Sequence, residues 1–118
     1  MAHGDFNHID IPVEDMGRAT SFYSTAFGWA IAAPPGFDDY PMWRGPNQAS
    51  GGGFGQRSGN LQVPRPYIEV DSIDATLAKI TELGGKVVQE KMEITPTSWW
   101  AAFEDTEGNQ LGLYEGTM

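Results

Sequence analysis

His8 and Asp10 stand two residues apart in Phe6-Asn7-His8-Ile9-Asp10-Ile11, and Tyr67 and Glu69 stand two apart in Pro66-Tyr67-Ile68-Glu69-Val70. Alternate residues of an extended strand project to one face, so each pair makes a polar row opposite Ile9 and Ile11, or Ile68 and Val70. An imidazole beside a carboxylate can move protons. A carboxylate whose pKa is raised by apolar surroundings can serve as a general base near neutral pH. His8, Asp10 and Glu69 are therefore the candidate catalytic residues. Were the two strands to share a cavity, the same three side chains could also form a facial triad for a divalent ion. The plainer account of Asp10 and Glu69 is two polar residues on the wetter face of their strands. The nearest second imidazole is His3.

The elements that must position these residues repeat. Ile9 corresponds to Ile68, Asp10 to Glu69, Ile11 to Val70 and Asp15 to Asp74, an offset of 59 in a chain of 118 residues. In the first copy the alternation predicts a strand over 6–11, ended by Pro12, with Glu14 and Asp15 at the start of a helix. Ala19, Phe22, Tyr23, Ala26 and Phe27 give that helix an apolar stripe, and Gly28 is placed to stop it in a left-handed cap. Strands are expected over 29–32, 40–44 and 52–56, separated by Pro34-Pro35-Gly36 and Gly45-Pro46-Asn47. The second copy predicts a strand over 66–70, an Asp71/Asp74 capping box, and a helix striped by Ile73, Leu77, Ile80 and Leu83. Strands over 86–91, 98–104 and 110–115 follow. Each half thus reads strand, helix, three strands, in a single domain with module one at 4–56, a polar linker at 57–65 and module two at 66–116. A duplicated unit of this kind places its ligand site in the concave seam between copies.

Composition narrows the function classes. Sixteen acids against seven bases give a net charge of −9, which repels phosphate backbones and leaves no basic stripe to hold them. Nucleic acid is not an expected partner. With no cysteine the chain has no disulfide, cysteine–zinc site or thiol catalysis, which fits a cytoplasmic protein. No secretory signal is visible at the N-terminus. Residues 19–37 carry no charge, but Thr, Ser, Gly and Pro interrupt them, so a membrane span is not expected. There is no Gly-x-Ser-x-Gly elbow. Gly51-Gly52-Gly53-Phe54-Gly55 lacks the Lys-Ser/Thr ending and following helix of a phosphate loop. It reads better as a strand that lets a ligand or another backbone come close.

What remains is aromatic. Four Trp, six Phe and four Tyr suit a planar or apolar ligand, and Trp29, Trp43, Tyr40, Tyr67, Trp99, Trp100, Phe54 and Tyr114 fall on expected strands or their ends. Tyr67, Trp43, Phe54, Trp99, Tyr114 and Gln110 are the candidate ligand-binding residues. Trp99 and Trp100 must face opposite sides of their strand, and which one lines a cavity stays open.

The doubled unit, the opening Asn7-His8-Ile9, the Phe27-Gly28-Trp29 helix end and the closing Asp105-x-Glu-Gly-Asn109-Gln-Leu111-Gly112-Leu113 resemble the vicinal oxygen chelate superfamily. That superfamily holds glyoxalase I, bleomycin resistance proteins, extradiol dioxygenases and fosfomycin-inactivating transferases. The resemblance covers nearly the whole chain and implies an α+β fold: two tandem βαβββ modules forming an incomplete eight-stranded barrel around a cavity. It also implies metal ligands on the first and last strands of each half. Here His8 matches the usual histidine, Tyr67 stands at the equivalent place in the second copy, and Gly112 stands where a glutamate is usual. Gly52-Gly53-Phe54-Gly55 offers no donor side chain.

The expectation is a small-molecule-binding protein with a degenerate metal site, sequestering a ligand without metal or other cofactor. The ligand would be aromatic or apolar, neutral or cationic, and the assembly a homodimer. The alternative is a glyoxalase- or dioxygenase-like enzyme (lyase, isomerase or oxygenase) using His8 with Asp10 or Glu69, with or without a divalent metal. A third reading is a domain that dimerises and binds nothing. An anionic thioether substrate would need a basic anchor, for which Arg44, Arg57 and Arg65 are the available bases.

Overall fold

The computed structural model describes residues 3–116. The chain is α+β and falls into two compact units, Asn7–Arg65 and the stretch from Pro66 onward together with the segment up to Phe6.

The first unit runs β1 (Phe6–Val13), α1 (Met16–Phe27), β2 (Ala30–Ala32), β3 (Met42–Arg44) and β4 (Gly51–Gln56). Its strands lie in the order β2-β3-β4-β1. β1 runs parallel to β4, with Asp10 opposite Gly53, and β3 runs antiparallel to β2 and β4. Pro12 does not end β1 as expected. It continues the strand, in register opposite Gly55 of β4. Beyond it the Val13 carbonyl accepts from Arg57 N–H. Asp15 caps α1 by accepting from the Arg18 N–H at 2.9 Å, and Gly28 closes it at φ 73° with its N–H on the Ser24 carbonyl.

The second unit repeats the order as β5 (Arg65–Glu69), α2 (Ile73–Glu82), β6 (Lys86–Thr95), β7 (Ser98–Glu104) and β8 (Gln110–Gly116). Its strands lie β5-β8-β7-β6, the same arrangement met from the other end. The cap of α2 is Ser72, whose Oγ accepts from Ala75 N–H at 3.2 Å, rather than Asp71. Asp74 sits in the first turn, where its charge faces the helix N-terminus favourably. Residues Gly4 and Asp5 hydrogen-bond to Glu69 of β5, so this start of the chain belongs with the second unit.

Each unit has its own core beneath its helix. In the first, Val13, Trp43 and Phe54 are buried, with Ile9, Ile11, Tyr23 and Trp29 packed against them. Rings stack there in series: Tyr23 on Trp29 at 4.7 Å, Trp29 on Trp43 at 3.9 Å. The second core is mostly aliphatic, formed by Val70, Ile73, Leu77, Ala101, Phe103 and Leu113. Among the described residues no helix is long and apolar enough to cross a membrane.

Candidate functional site

In the first unit the alternation of β1 sends Ile9 and Ile11 to the core and leaves His8 and Asp10 on the opposite face. There the imidazole and carboxylate meet: His8 Nε2 lies 2.8 Å from Asp10 Oδ1. A third group joins them. The Tyr40 hydroxyl lies 2.5 Å from His8 Nε2 and donates to the same Asp10 oxygen. The Tyr40 ring lies nearly parallel to the imidazole, 16° apart. Asp10 is 9% exposed, so its carboxylate is held by hydrogen bonds more than by water.

Tyr40 was expected on a strand but belongs to the loop before β3, which starts at Met42. Its own N–H reaches the Phe37 carbonyl at 3.0 Å, and Phe37 N–H reaches the Pro34 carbonyl at 3.0 Å. Successive turns, begun by Pro34-Pro35 and Gly36 at φ 83°, fold this loop back over β4. The ring crosses the strand at Gly53, where a methyl group would fall inside it. In the sequence Tyr40 is one aromatic among many, and the signal that singles it out is Gly53, a bare strand position beside Asp10.

In the second unit Tyr67 pairs in register with Gly112, Glu69 with Tyr114, and Trp100 with Tyr114. Directly paired residues share a face, so Tyr67, Glu69, Tyr114 and Trp100 line one side of this sheet. Tyr67 meets Trp100 edge-on at 6.5 Å and covers Gly112, whose missing side chain leaves room for the ring. Burial pushes the Tyr114 phenol above its ordinary pKa, the Glu69 charge adds to that, and a hydrogen bond with Ser98 opposes it. Ser98 is fully buried and bonded to Thr95 at 2.6 Å.

Several expected ligand-binding residues lie elsewhere. Trp43 and Phe54, 4% and 0% exposed, are core residues under α1. Phe54 follows Gly53, and strand alternation turns it to the helix side. Trp99 packs against the aliphatic core, with Lys91 Nζ 4.7 Å from its ring centre, so Trp100 takes the opposite face. Gln110 is exposed at the start of β8, opposite Glu104. The bases expected as anion anchors hold main-chain carbonyls: Arg44 that of Gln48, Arg57 those of Gln62 and Pro12, Arg65 that of Asn60. His3 lies beside Asp71 and accepts from its N–H at 3.0 Å.

The donor set does not fit a resident divalent ion. Of the four positions the resemblance assigns, His8 alone carries a usual donor; Tyr67, Gly112 and the glycines of β4 fill the others. Among the described residues no three His, Asp or Glu side chains are grouped to hold a metal. An ion of this kind needs three or four such donors converging on it.

Comparison with known proteins places the chain. Residues 6–46 match the family described as bleomycin resistance protein-like N-terminal. A glyoxylase-like domain-containing protein of Didymella fabae is 32% identical over 116 residues, spanning 91% of this chain and 90% of that one. A glyoxylase-named protein of Mycobacterium tuberculosis is 26% identical over 95% of this chain, which spans only 46% of that protein's length. Among solved structures, methylmalonyl-CoA epimerase from Mycobacterium tuberculosis superposes with a TM-score of 0.75 at 18% identity, over 100% of this chain and 92% of that one. The Streptomyces coelicolor enzyme gives 0.72 at 16% identity, over 99% and 100%. At such identities these structures share the fold alone. With its doubled strand order and a 32% identical relative over nine-tenths of its length, the chain belongs to the vicinal oxygen chelate superfamily, among the glyoxalase-like proteins.

Proposed function

We propose that this protein binds a small aromatic or apolar molecule, neutral or cationic, without a resident metal. The observation that carries the reading is the aromatic face of the second unit, where Tyr67, Trp100 and Tyr114 gather around a bare glycine on β8. Stacking and cation–π contacts there contribute on the order of 0.5–2 kcal/mol each. The net charge of −9 adds long-range attraction for a cation. Arg44 and Arg57 are engaged with main-chain carbonyls of the first unit, which disfavours an anionic thioether at this aromatic face of the second. The match to a bleomycin-resistance-like family supports sequestration.

The test is a panel of ligands read by tryptophan fluorescence quenching. Aromatic cations or neutral aromatics should quench before glutathione conjugates do, and Trp100→Phe should weaken the response several-fold. Tight binding of an anionic conjugate with turnover would overturn the reading. A second reading, an enzyme that moves a proton, is favoured by the His8, Asp10 and Tyr40 cluster. A phenol held between an imidazole and a carboxylate can give or take a proton at its oxygen. Structural neighbours named as epimerases are compatible with it. Turnover of any panel compound, lost on Tyr40→Phe with binding retained, would put this second reading first.

A further inference from the structure

Three atoms in the first unit converge on one point. His8 Nε2 and Asp10 Oδ1 are 2.8 Å apart, and the Tyr40 hydroxyl is within hydrogen-bond reach of both. Two adjacent ligands of a first-row divalent ion, each about 2.1 Å from it, sit roughly 3 Å apart. His8 and Asp10 therefore already stand at the separation of neighbouring metal ligands, and the Tyr40 oxygen takes the place between them. On the strand beside them residue 53 pairs in register with Asp10, so a side chain there would be placed to add a third donor. It is glycine, and any side chain there would collide with the Tyr40 ring.

We infer that Tyr40 and Gly53 are a matched pair that closes a metal position: the phenol takes the ion's place between His8 and Asp10, and the glycine lets its ring arrive. The two changes are useful only together. A carboxylate at 53 would exclude the ring, while a glycine without the tyrosine would leave His8 and Asp10 at least one donor short of a site. The second unit also has a glycine under a tyrosine ring 59 residues on, although there the ring belongs to Tyr67, the counterpart of His8. Gly112 stands where a carboxylate is usual, and the Tyr67 ring covers it. The hydroxyl of Tyr40, whose one proton goes to Asp10, then completes a hydrogen-bonded cluster where an ion would have offered a positive charge. Tyr40 is on this account a specificity-determining residue, and Gly53 the residue that positions it.

The inference rests on the metal-free reading, and cobalt(II) alone as probe separates the two. Visible absorption and calorimetric titration should show little cobalt(II) binding to the unaltered protein. The double variant Tyr40→Ala/Gly53→Glu should take one equivalent at least ten-fold more tightly, with His8→Ala abolishing the gain. Tyr40→Ala alone, which keeps the backbone at 53 unchanged, should show a smaller gain and remains informative should the double variant not fold. A folded double variant and a folded Tyr40→Ala that both bind no better than the original would overturn the matched pair and leave the metal-free reading standing. One equivalent bound tightly by the unaltered protein and lost on His8→Ala would overturn both.

Discussion

The two units carry one plan and opposite chemistry. On the sheet face away from the helix, the first unit is polar, with His8, Asp10 and Tyr40 hydrogen-bonded together. The second is aromatic there, with Tyr67, Trp100 and Tyr114. Beneath the helices the contrast is reversed. Stacked rings of Tyr23, Trp29 and Trp43 fill the first core, and aliphatic side chains dominate the second. Gly53 and Gly112 are equivalent positions and each lies under a tyrosine ring, yet the rings arrive by different routes. Tyr40 comes from a folded loop, Tyr67 from the adjacent strand. Duplication thus dictates where a side chain can point, and each copy has filled those directions separately.

The cores give the largest expected effect. Phe54 is fully buried and its ring lies 5.6 Å from that of Tyr23. Phe54→Ala should cost about 3–5 kcal/mol in urea unfolding, and Leu113→Ala in the aliphatic core about 2–5 kcal/mol. The aromatic core should lose more, because its stacked rings are rigid plates that cannot collapse into the void. A larger loss for Leu113→Ala would break the contrast between the two cores.

Glycines sharpen it next. A methyl on Gly52 would meet the Ile9 backbone, which cannot move without parting β1 from β4. One on Gly112 would meet the ring of Tyr67, 6% exposed on β5, and one on Gly53 the ring of a half-buried loop residue. Overpacking costs typically ~1–3 kcal/mol, and the order of loss should be Gly52→Ala, Gly112→Ala, Gly53→Ala. Thermal unfolding of the three variants checks it, and a Gly53→Ala as damaging as Gly52→Ala would mean the Tyr40 loop is no freer than a strand.

Helix caps come below these. Asp15→Ala should cost about 1 kcal/mol. Ser72→Ala should cost less, because the Ile73 N–H at the same helix end is also held by Glu115 Oε1 at 2.7 Å. Equal losses would show that Glu115 does not share the work of the cap.

Much of this organisation was legible in the chain. The offset of 59 and the period-2 and period-3.6 patterns carry both strand–helix units, the capping glycine at 28, and the shared face of His8 and Asp10. Short-range patterns suffice for these because each depends on residues within one turn or one strand. Tyr40 depends on partners 30 and 32 residues away, and its direction is set by turns in a loop that has no period to read. Trp43 and Phe54 looked like ligand residues because a strand pattern does not say which face a helix covers. The facing of Trp100 needed the register of β7 against β8, set by the turn in which Asp105 accepts from the N–H groups of Glu107 and Asn109.

The smallest effect expected is a titration on the aromatic face. In the folded chain the Tyr114 phenol has its pKa raised from the ordinary 10.0, first by burial and further by Glu69, with Ser98 pulling the other way. The unfolded chain ionises this group first, so the neutral phenol's contribution to stability is complete below about pH 10 and is lost as pH rises through the higher folded value. Phenolate absorbance on alkaline titration should show a late component that Tyr114→Phe removes. Glu69→Gln should bring that component earlier by taking away the charge, and Ser98→Ala should delay it by taking away a hydrogen bond to the phenol. The two shifts have opposite signs, which distinguishes them from general loosening of the sheet, since loosening would hydrate the phenol and bring both variants earlier. If Ser98→Ala moved the component earlier, burial and not the specific partners of Tyr114 would govern this face, and its resemblance to the hydrogen-bonded cluster of the first unit would end at the shared glycine.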